Sequence, residues 1–470
     1  MIQAALAVRP PTEIGAAGVG DPVFNLLGNG GYDARHYDVA MTYTGPGRLV
    51  VGTTTMTATA THDLRRFDLD FDGNRVTGID VDGAPASYGR RHSKLVITPS
   101  TALAKGSSFV VTVDYVANPR ARHSCIVPDD TSRSAWIPTT GGFYIAGQPS
   151  CTNSVFPSND HPSDKASYGF KITVPRRLTA VASGKLMQRI DSGANRTFIF
   201  EQPEPMAAEV AQVVVGRYAV RTGASPHGIT IRNVVPVGKA AGLHHRLSQT
   251  AGHIRWMEGR VGRYPFQTYG TLIAPGSFEG LELQTLSTIG YREATDTLDA
   301  FSRLQVHELA HQWFGDLVSP ATWGDLWLNE GHATWYEIAY AARRNPAQLD
   351  REIRAAYLFG DQMRDTNGPV ARPRRATLFS ENVYIGGATV LYALRQRVGP
   401  TAFERIERAW VSRYANRSAN TEQFIALGSS VSGQNLTPFL RRWLYGATTP
   451  PMPGHPSWTR ASPRRAPQNW

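Results

Sequence analysis

Two histidines and a glutamate in one short stretch of the sequence have the spacing of a catalytic metal site. The string HELAH places His307 and His311 four residues apart, with Glu308 beside the first of them. On a helix this spacing puts both imidazoles on one face, with Cβ atoms about 5–6 Å apart. Zinc binds histidine nitrogens at ~2.0–2.1 Å, which two rings this close can provide together. Glu308 can then act as the general base on the attacking water.

A catalytic zinc usually has a third protein ligand and one position open to water or substrate. Glu330 lies nineteen residues after His311, in the segment DLWLNEGHATWYE. An intervening loop, residues 319–324, allows this segment to fold back against the first helix. The pattern therefore predicts His307, His311 and Glu330 as zinc ligands. The aromatic residues nearby are expected to pack in the core and keep the site dry: Trp313, Phe314, Trp323 and Trp327.

Two kinds of segment must position these residues. From Tyr37 to about Tyr218, short runs of alternating or β-branched residues are separated by turn residues, which predicts β-strands. From about Gly242 the helical period takes over. The predicted helices are His244–Gly262, Leu298–Gly315, Leu326–Arg343, Ala347–Phe359 and Ala388–Val398, with a short strand over Thr268–Ala274. The fold class is therefore α+β, with a β-rich N-terminal domain followed by a mainly helical domain.

The change of pattern along the chain also predicts domain limits. The predicted parts are an irregular lead-in (1–30), a β-rich domain (31–222), a catalytic domain (223–447) and a Pro-rich, irregular or partly disordered tail (448–470). Later helices are expected to begin at recognisable caps. Thr401 with Glu404 predicts a capping box, and Thr437 before Pro438 predicts an N-cap.

Composition excludes some partners. The net charge of +11 is carried mostly by scattered arginines without any nucleic-acid-binding motif, so we expect a solvated basic surface and no nucleic-acid partner. No run approaches the ~18 apolar residues of a membrane span. Cys125 and Cys151 are as compatible with one disulfide as with two free thiols. The first residues make a poor signal peptide, so the compartment stays open, with export favoured over the cytoplasm.

The zinc pattern is part of a wider resemblance. HELAH, eighteen residues and then Glu330 within WLNEG resemble the M1 family of zinc aminopeptidases, of the gluzincin type. The likeness extends upstream to GNGGYDARHYDV and NDHPSDKASY and downstream to NVYIGGATVLYALR. The end, WLYGATTPPMPGHP, is similar to short bacterial members without a large helical C-terminal domain. This resemblance implies a thermolysin-like catalytic domain, one zinc ion per chain and peptide substrates with a free N-terminus. A monomer is the expected state.

Two further roles come from the resemblance alone. Tyr384, in NVYIGG, corresponds to the family's catalytic tyrosine, which would stabilise an oxyanion opposite the metal. The family's amine-binding motif GxMEN is absent, and GSFEGLELQTLS stands in its place. Aligning GLEL with GxMEN puts the substrate-binding positions on Gly280 and Glu282, with Glu279 as a rival for the amine-binding glutamate.

The sequence therefore predicts a zinc metallopeptidase that removes N-terminal residues. Because the amine-binding loop departs from the family pattern, an endopeptidase on the same zinc site is one alternative. A non-catalytic peptide-binding relative is another, although such a protein would be expected to lose metal ligands, and every predicted ligand is present.

Overall fold

The structure, a computed structural model, describes residues 13–121, 134–225, 227–239, 241–276 and 279–460. Cys125 and residues 461–470 lie outside the described residues, so the disulfide and the end of the tail stay predictions. No helix in the described ranges is long and apolar enough to cross a membrane.

The first half of the chain is built from β-strands, as the alternating runs predict. In chain order they are β1 (Glu13–Ile14), β2 (Tyr32–Tyr43), β3 (Val50–Ala60), β4 (Leu64–Asp70), β5 (Arg75–Val81), β6 (Ala84–Pro85), β7 (Ser87–Arg91), β8 (Lys94–Thr98), β9 (Ser108–Ala117), β10 (Trp136–Thr139), β11 (Gly142–Ile145), β12 (Ala166–Pro175), β13 (Thr179–Ala182), β14 (Lys185–Ser192), β15 (Asn195–Met206) and β16 (Val213–Gly216).

Three sheets form this half. The largest has eight strands in the order β14-β15-β12-β2-β3-β9-β5-β6, and the two smaller ones have the orders β1-β4-β8-β7 and β10-β11-β16-β13. In β3, every second side chain of VVGTTTMTATA is buried while its neighbours are partly or fully exposed. One face of the large sheet is therefore covered by the core.

The second half combines a small sheet with helices. Its strands are β17 (Tyr218–Ala224), β18 (Thr230–Pro236), β19 (Thr268–Tyr269), β20 (Thr271–Ala274), β21 (Ser287–Gly290), β22 (Val318–Pro320) and β23 (Arg417–Ala419). Its helices are α1 (His244–Leu247), α2 (Thr250–Val261), α3 (Tyr291–Ala294), α4 (Leu298–Ala310), α5 (Trp327–Ala341), α6 (Pro346–Leu358), α7 (Gly360–Asn367), α8 (Glu381–Val398), α9 (Pro400–Tyr414), α10 (Thr421–Ser432) and α11 (Thr437–Tyr445). Strands β17, β18, β20 and β21 form one sheet, with β19 beside β18. The predicted α+β architecture is thereby confirmed.

The domain limits stay a prediction, but one of them divides an element. Strand β17 pairs along its whole length with β18. The predicted limit at 222/223 therefore falls inside this hairpin, which belongs to the sheet of the second half of the chain. The lead-in is tied to both halves, because Asp21 accepts hydrogen bonds from His161 at 3.1 Å and from the backbone of Trp323 at 2.7 Å. Residues 448–460 have no helix or strand, yet His455 contacts the hydroxyl of Tyr392 at 2.6 Å.

Several helix ends differ from the prediction. Helix α4 ends at Ala310, before the Gly315 turn, and the segment from His244 is divided into α1 and α2. Both capping predictions were wrong. Helix α9 starts at Pro400 with Gly399 as its N-cap, and α11 starts at Thr437 with Leu436 as its N-cap. Helix α9 therefore begins two residues earlier than the Thr401 cap predicts, and α11 begins one residue earlier than the Thr437 cap predicts.

Helix α8 begins at Glu381, seven residues before its predicted start, because it runs through Gly386 and Gly387. These glycines serve helix packing. A Cβ on Gly331 of α5 would lie 2.9 Å from the Cα of Gly387, and one on Gly387 would lie 2.7 Å from the Cα of Gly331. The two helices therefore cross with their backbones in contact, which only glycine at both positions allows.

Candidate active site

Helices α4 and α5 bring the three predicted metal ligands together. Thr297 caps the start of α4 by accepting a hydrogen bond from the backbone of Ala300. His307 then lies in the last turn of α4, and His311 is its C-cap residue. Glu330 lies in the first turn of α5, and its Oε2 is 3.5 Å from Nε2 of His307 and 3.3 Å from Nε2 of His311.

The donor set fits a tetrahedral zinc ion. Ligand atoms at ~2.0–2.1 Å from a tetrahedral centre are about 3.3–3.4 Å from one another, close to the two distances observed. The Nδ1 of His311 lies 3.1 Å from the carbonyl oxygen of Phe314, which can only accept a hydrogen bond. In the neutral ring, Nε2 therefore carries a lone pair and faces the carboxylate of Glu330. Two electron-rich atoms at this distance are stabilised by a cation between them. Burial opposes ionisation of Glu330, but the two histidines lower the pKa of this carboxyl to about 2.

A series of ion pairs orients His307 through its Nδ1 atom, the ring nitrogen that does not face Glu330. Its Nδ1 lies 3.2 Å from Oε2 of Glu337, and Glu337 accepts a hydrogen bond of 3.1 Å from Arg303. Arg303 also holds Glu352 at 2.9 Å. Burial alone would raise the pKa of Glu337, but His307 and Arg303 hold it below its ordinary value. Glu337 was not among the predicted site residues, although it lies seven residues after Glu330 and so on the same face of α5.

A second acidic cluster lies on the His311 side of the site. Carboxylate oxygens of Glu282 and Glu308 and a ring nitrogen of His311 lie within 4.8 Å of one another. Both carboxylates are buried, with Glu282 3% and Glu308 4% exposed. Burial and the charges of Glu282 and Glu330 raise the pKa of Glu308 to about 8, against the opposing effect of the two histidines. A divalent cation beside this carboxyl would lower its pKa again.

Glu282 is held from the β-rich half. The side-chain amide of Gln148, which follows β11, donates a 2.7 Å hydrogen bond to Oε1 of Glu282, and Gln312 donates to its backbone carbonyl at 2.9 Å. Gln148 was also missed, and no local signal could have found it, because it lies 134 positions from its partner.

The other two residues of the GSFEGLEL loop differ from Glu282 in their surroundings. Glu279 is exposed and lines a cavity beside Tyr384. Gly280 lies against the cluster of Glu282, Glu308 and His311, since a Cβ there would be 2.0 Å from Oε1 of Glu308. The structure therefore groups Glu282 and Gly280 with Glu308 and leaves Glu279 outside the cluster.

Tyr384 lies in the first turn of α8, next to the predicted metal ligand His307. Its ring stacks on His307 with centroids 6.2 Å apart and planes 13° apart. Burial, together with the charges of Glu330, Glu282 and Glu308, raises the pKa of Tyr384 well above its usual value. The phenol is therefore neutral over the physiological pH range and available as a hydrogen-bond donor.

The chain also resembles known proteins in its sequence and its fold. Residues 281–443 match the Peptidase family M1 domain. The crystal structure of an M1 zinc metallopeptidase from Deinococcus radiodurans is 30% identical, with a TM-score of 0.82 over 93% of this chain and 99% of that chain. The chain belongs to the M1 family of zinc metallopeptidases.

The two-domain M1 architecture therefore applies to the β-rich and helical halves described above. A mutant of the Deinococcus M1 metallopeptidase, bound to a Tyr-Ser-Ala substrate, matches with a TM-score of 0.83 over 100% of its length. The M1 relatives also include larger proteins. Leukotriene A-4 hydrolase from Xenopus laevis is 25% identical over 84% of this chain and 67% of its own length. Aminopeptidase M1-D from Oryza sativa subsp. japonica is 26% identical over 61% of this chain, and the match spans only 35% of that relative.

Proposed function

We propose that this M1 metallopeptidase is an aminopeptidase, which removes single residues from peptides with a free N-terminus. One observation carries the proposal. The carboxylate of Glu282, fixed by Gln148 at 2.7 Å, is buried within 4.8 Å of ligand atoms of Glu308 and His311. A buried carboxylate in this position can bind the α-ammonium of a substrate and so align its first peptide bond with the catalytic groups. The aminopeptidase relatives support the same activity.

In this proposal His307, His311 and Glu330 hold one zinc ion. When bound, zinc supplies Lewis-acid chemistry, lowering the pKa of water and polarising the scissile carbonyl. Glu337 and the carbonyl of Phe314 orient the two histidine rings through their Nδ1 atoms. The remaining steps belong to side chains of the chain itself.

Each of the other residues has one task. Glu282 binds the substrate ammonium and orients the peptide. Glu308, which lies beside Glu282, takes a proton from the attacking water at its carboxylate oxygen and later gives it to the departing amine. The neutral phenol of Tyr384 donates a hydrogen bond to the oxygen that becomes negative in the tetrahedral transition state. Gly280 leaves the space that the carboxylate of Glu308 occupies.

The decisive experiment compares free-amine and N-acetylated peptides on the zinc-loaded enzyme. We expect hydrolysis of free-amine substrates, sensitive to a chelator, and poor hydrolysis of their acetylated counterparts. Glu282→Ala should lower kcat/KM on free-amine substrates by roughly 30-fold or more, because it removes one partner of a buried charge pair. Zinc content should not change. Glu279→Ala is the matched control on the same loop and should have much less effect.

Other outcomes identify the alternatives. Equal cleavage of acetylated and free peptides would replace the proposal with an endopeptidase. Stoichiometric zinc without turnover of any peptide would indicate a peptide-binding relative. A large loss in Glu279→Ala with little effect in Glu282→Ala would transfer the amine-binding role to Glu279.

A further inference from the structure

Arg232, on strand β18, is a buried guanidinium without a counter-charge. The residue is only 5% exposed, and its Nε and Nη1 atoms have no hydrogen-bond partner. The third nitrogen, Nη2, donates a 3.2 Å hydrogen bond to the hydroxyl of Thr285, which is uncharged. Within the part of the chain that the structure describes, no carboxylate pairs with this group.

The guanidinium nevertheless keeps its charge. Burial lowers the pKa of Arg232 to about 10, so the group stays protonated at physiological pH. Among the described groups, Tyr264 is the one whose charge acts on it, and burial raises the pKa of that phenol well above its usual value, which leaves it neutral. The ring of Phe200, with its centroid 5.6 Å from Cζ of Arg232, offsets only part of the cost of burying an ion. The fold therefore contains a positive charge that its own side chains do not balance.

A second buried side chain without a partner lies on the adjoining loop. Gln284 is inaccessible to solvent, and neither its amide oxygen nor its amide nitrogen has a hydrogen-bond partner. It directly precedes Thr285, the residue that Arg232 contacts. Buried donors are normally satisfied by protein groups or by a bound species. Thr285 thus has an unsatisfied donor group on each of two neighbours, and one of these groups is charged.

Thr285 connects Arg232 to the proposed amine site. Its hydroxyl also accepts a 2.8 Å hydrogen bond from the backbone of Gly184, and its backbone N–H donates to Oε1 of Gln312 at 2.9 Å. Gln312 in turn donates to the backbone carbonyl of Glu282. Thr285 has a φ of +68°, which a β-branched residue rarely adopts, so its contacts must hold it there. Whatever balances the charge of Arg232 therefore also supports the loop of Glu282.

We propose that Arg232 is the centre of a binding site for a small monovalent anion, with chloride as its probe, and that the bound anion stabilises the loop that carries Glu282. One guanidinium supplies one positive charge, which a monovalent anion balances, whereas sulfate or phosphate would leave an uncompensated negative charge in the interior. The free N–H groups at Nε and Nη1 are the donors that the anion would accept from. The site itself is independent of the reaction, but its effect on kcat/KM rests on the proposed aminopeptidase function.

The first test looks for the anion in the wild-type, zinc-loaded protein. Crystals grown in sodium bromide should show an anomalous peak within hydrogen-bond reach of Nε or Nη1 of Arg232, whereas a water molecule there would give none. Replacing sodium gluconate with sodium chloride at equal ionic strength should raise Tm by about 2 °C or more, because an anion that binds only the folded chain stabilises it. Gluconate is the control, since it is too large for a buried site.

The second test uses substitutions that separate Arg232 from other effects of salt. In the wild type, kcat/KM on free-amine substrates should be about 5-fold or more higher in chloride than in gluconate. Arg232→Met removes the charge and should abolish the chloride dependence of both Tm and kcat/KM. Arg232→Lys keeps the charge but has fewer donors, so half of the effect should need a higher chloride concentration. Arg221→Met, at an exposed arginine of the neighbouring strand β17, is the matched control and should behave like the wild type.

The outcomes separate the site from the reaction. Absence of bromide at Arg232, or a bromide peak without any effect of chloride on Tm, would overturn the anion site, the latter by leaving an adventitious ion only. An equal chloride dependence in Arg232→Met would do the same, because it would place the anion elsewhere, for example on the zinc. Bromide at Arg232 with equal kcat/KM in the two salts would overturn the support of Glu282. Failure on every free-amine substrate with the anion bound would instead overturn the proposed function and leave the anion site in place.

Discussion

The side-chain amide of Gln148, in the β-rich half, donates a 2.7 Å hydrogen bond to the carboxylate of Glu282, in the helical half. Glu282 is nearly inaccessible to solvent, so this bond fixes which carboxylate oxygen remains available to a substrate. The amine-binding part of the proposed site is therefore shared between the two halves of the chain. Neither half alone contains it.

This relationship predicts the effect of Gln148→Ala. Loss of a hydrogen bond to a charged group costs about 1.5–3 kcal/mol, so kcat/KM on free-amine substrates should fall at least ~10-fold. Zinc content and melting temperature should stay close to those of the wild type. Gln267→Ala, at an exposed glutamine of the same chain, is the control. Unchanged kcat/KM in Gln148→Ala would mean that Glu282 needs no help from the β-rich half.

Substitution of a metal ligand should lower zinc binding more than substitution of a residue that orients a ligand. Glu330→Ala or His307→Ala should lose most of the bound zinc, because each removes one of three ligands. Glu337→Gln keeps the shape but loses the charge behind His307, and zinc affinity should fall ~10–100-fold in chelator competition. Glu352→Gln, one ion pair further away on Arg303, should retain zinc within a few-fold. Near-full zinc occupancy in Glu330→Ala would exclude Glu330 as a ligand.

Glu308→Gln separates the base from the ligands. A neutral amide of the same size cannot accept the proton of the attacking water, so turnover should collapse while zinc content and folding are retained. Steady-state kinetics with parallel metal analysis would measure this. Retention of a tenth of the wild-type kcat would exclude Glu308 as the base.

Tyr384→Phe removes one hydroxyl and almost no volume. By comparison with other oxyanion donors, kcat should fall by ~10²–10³ while KM changes little. Tyr357→Phe, which removes a hydroxyl bonded to the backbone of Pro450 on the far side of α6, should leave kcat unchanged. If the two variants behaved alike, Tyr384 would be a packing residue.

Stability should depend on pH through Asp164, a partly buried carboxyl of the β-rich half. Burial raises its pKa from 3.8 to about 7, although hydrogen bonds from Asn159 and the backbone of Ala34 oppose the shift. Between about pH 4 and 7 the folded chain keeps this proton while the unfolded chain releases it. The free energy of unfolding therefore falls as the pH rises through this window and is constant above it.

Asp164→Asn should remove this dependence, since the amide oxygen can still accept both hydrogen bonds. Relative to the wild type, the variant should gain stability above pH 7, on the order of 4 kcal/mol, and gain little near pH 4. Urea unfolding of both proteins at pH 4.5 and pH 8 would measure the difference. Parallel stability curves for the two proteins would show that Asp164 is ionised in the fold.

Local spacing explains how much of the site could be predicted. The interval from His307 to His311 is one helical turn, and Glu330 follows on the next helix, so these positions depend on contacts close in the chain. The buried state of Trp313, Phe314, Trp323 and Trp327 was likewise predictable, because large aromatic residues are usually buried in the core. The β-rich and helical halves were also correct, since each has its own period of apolar residues.

Other features depend on contacts that the sequence does not display. The bond from Gln148 to Glu282 joins two halves of the fold, and nothing around Gln148 marks it as a site residue. Helix α8 was begun too late because Gly386 and Gly387 resemble a break, whereas they allow a close helix contact.

The crossing of α5 and α8 has a consequence for how this enzyme can lose activity. Gly331 directly follows Glu330, and Gly387 lies three residues after Tyr384, so the backbone contact sets the separation between carboxylate and phenol. A methyl group at either glycine would act as a wedge, tilting two otherwise intact helices by displacing their backbones. We expect random mutagenesis to yield alanine variants at Gly331 and Gly387 that are soluble and folded but do not hydrolyse peptides. The reacting geometry is thus vulnerable at two residues that carry no functional group at all.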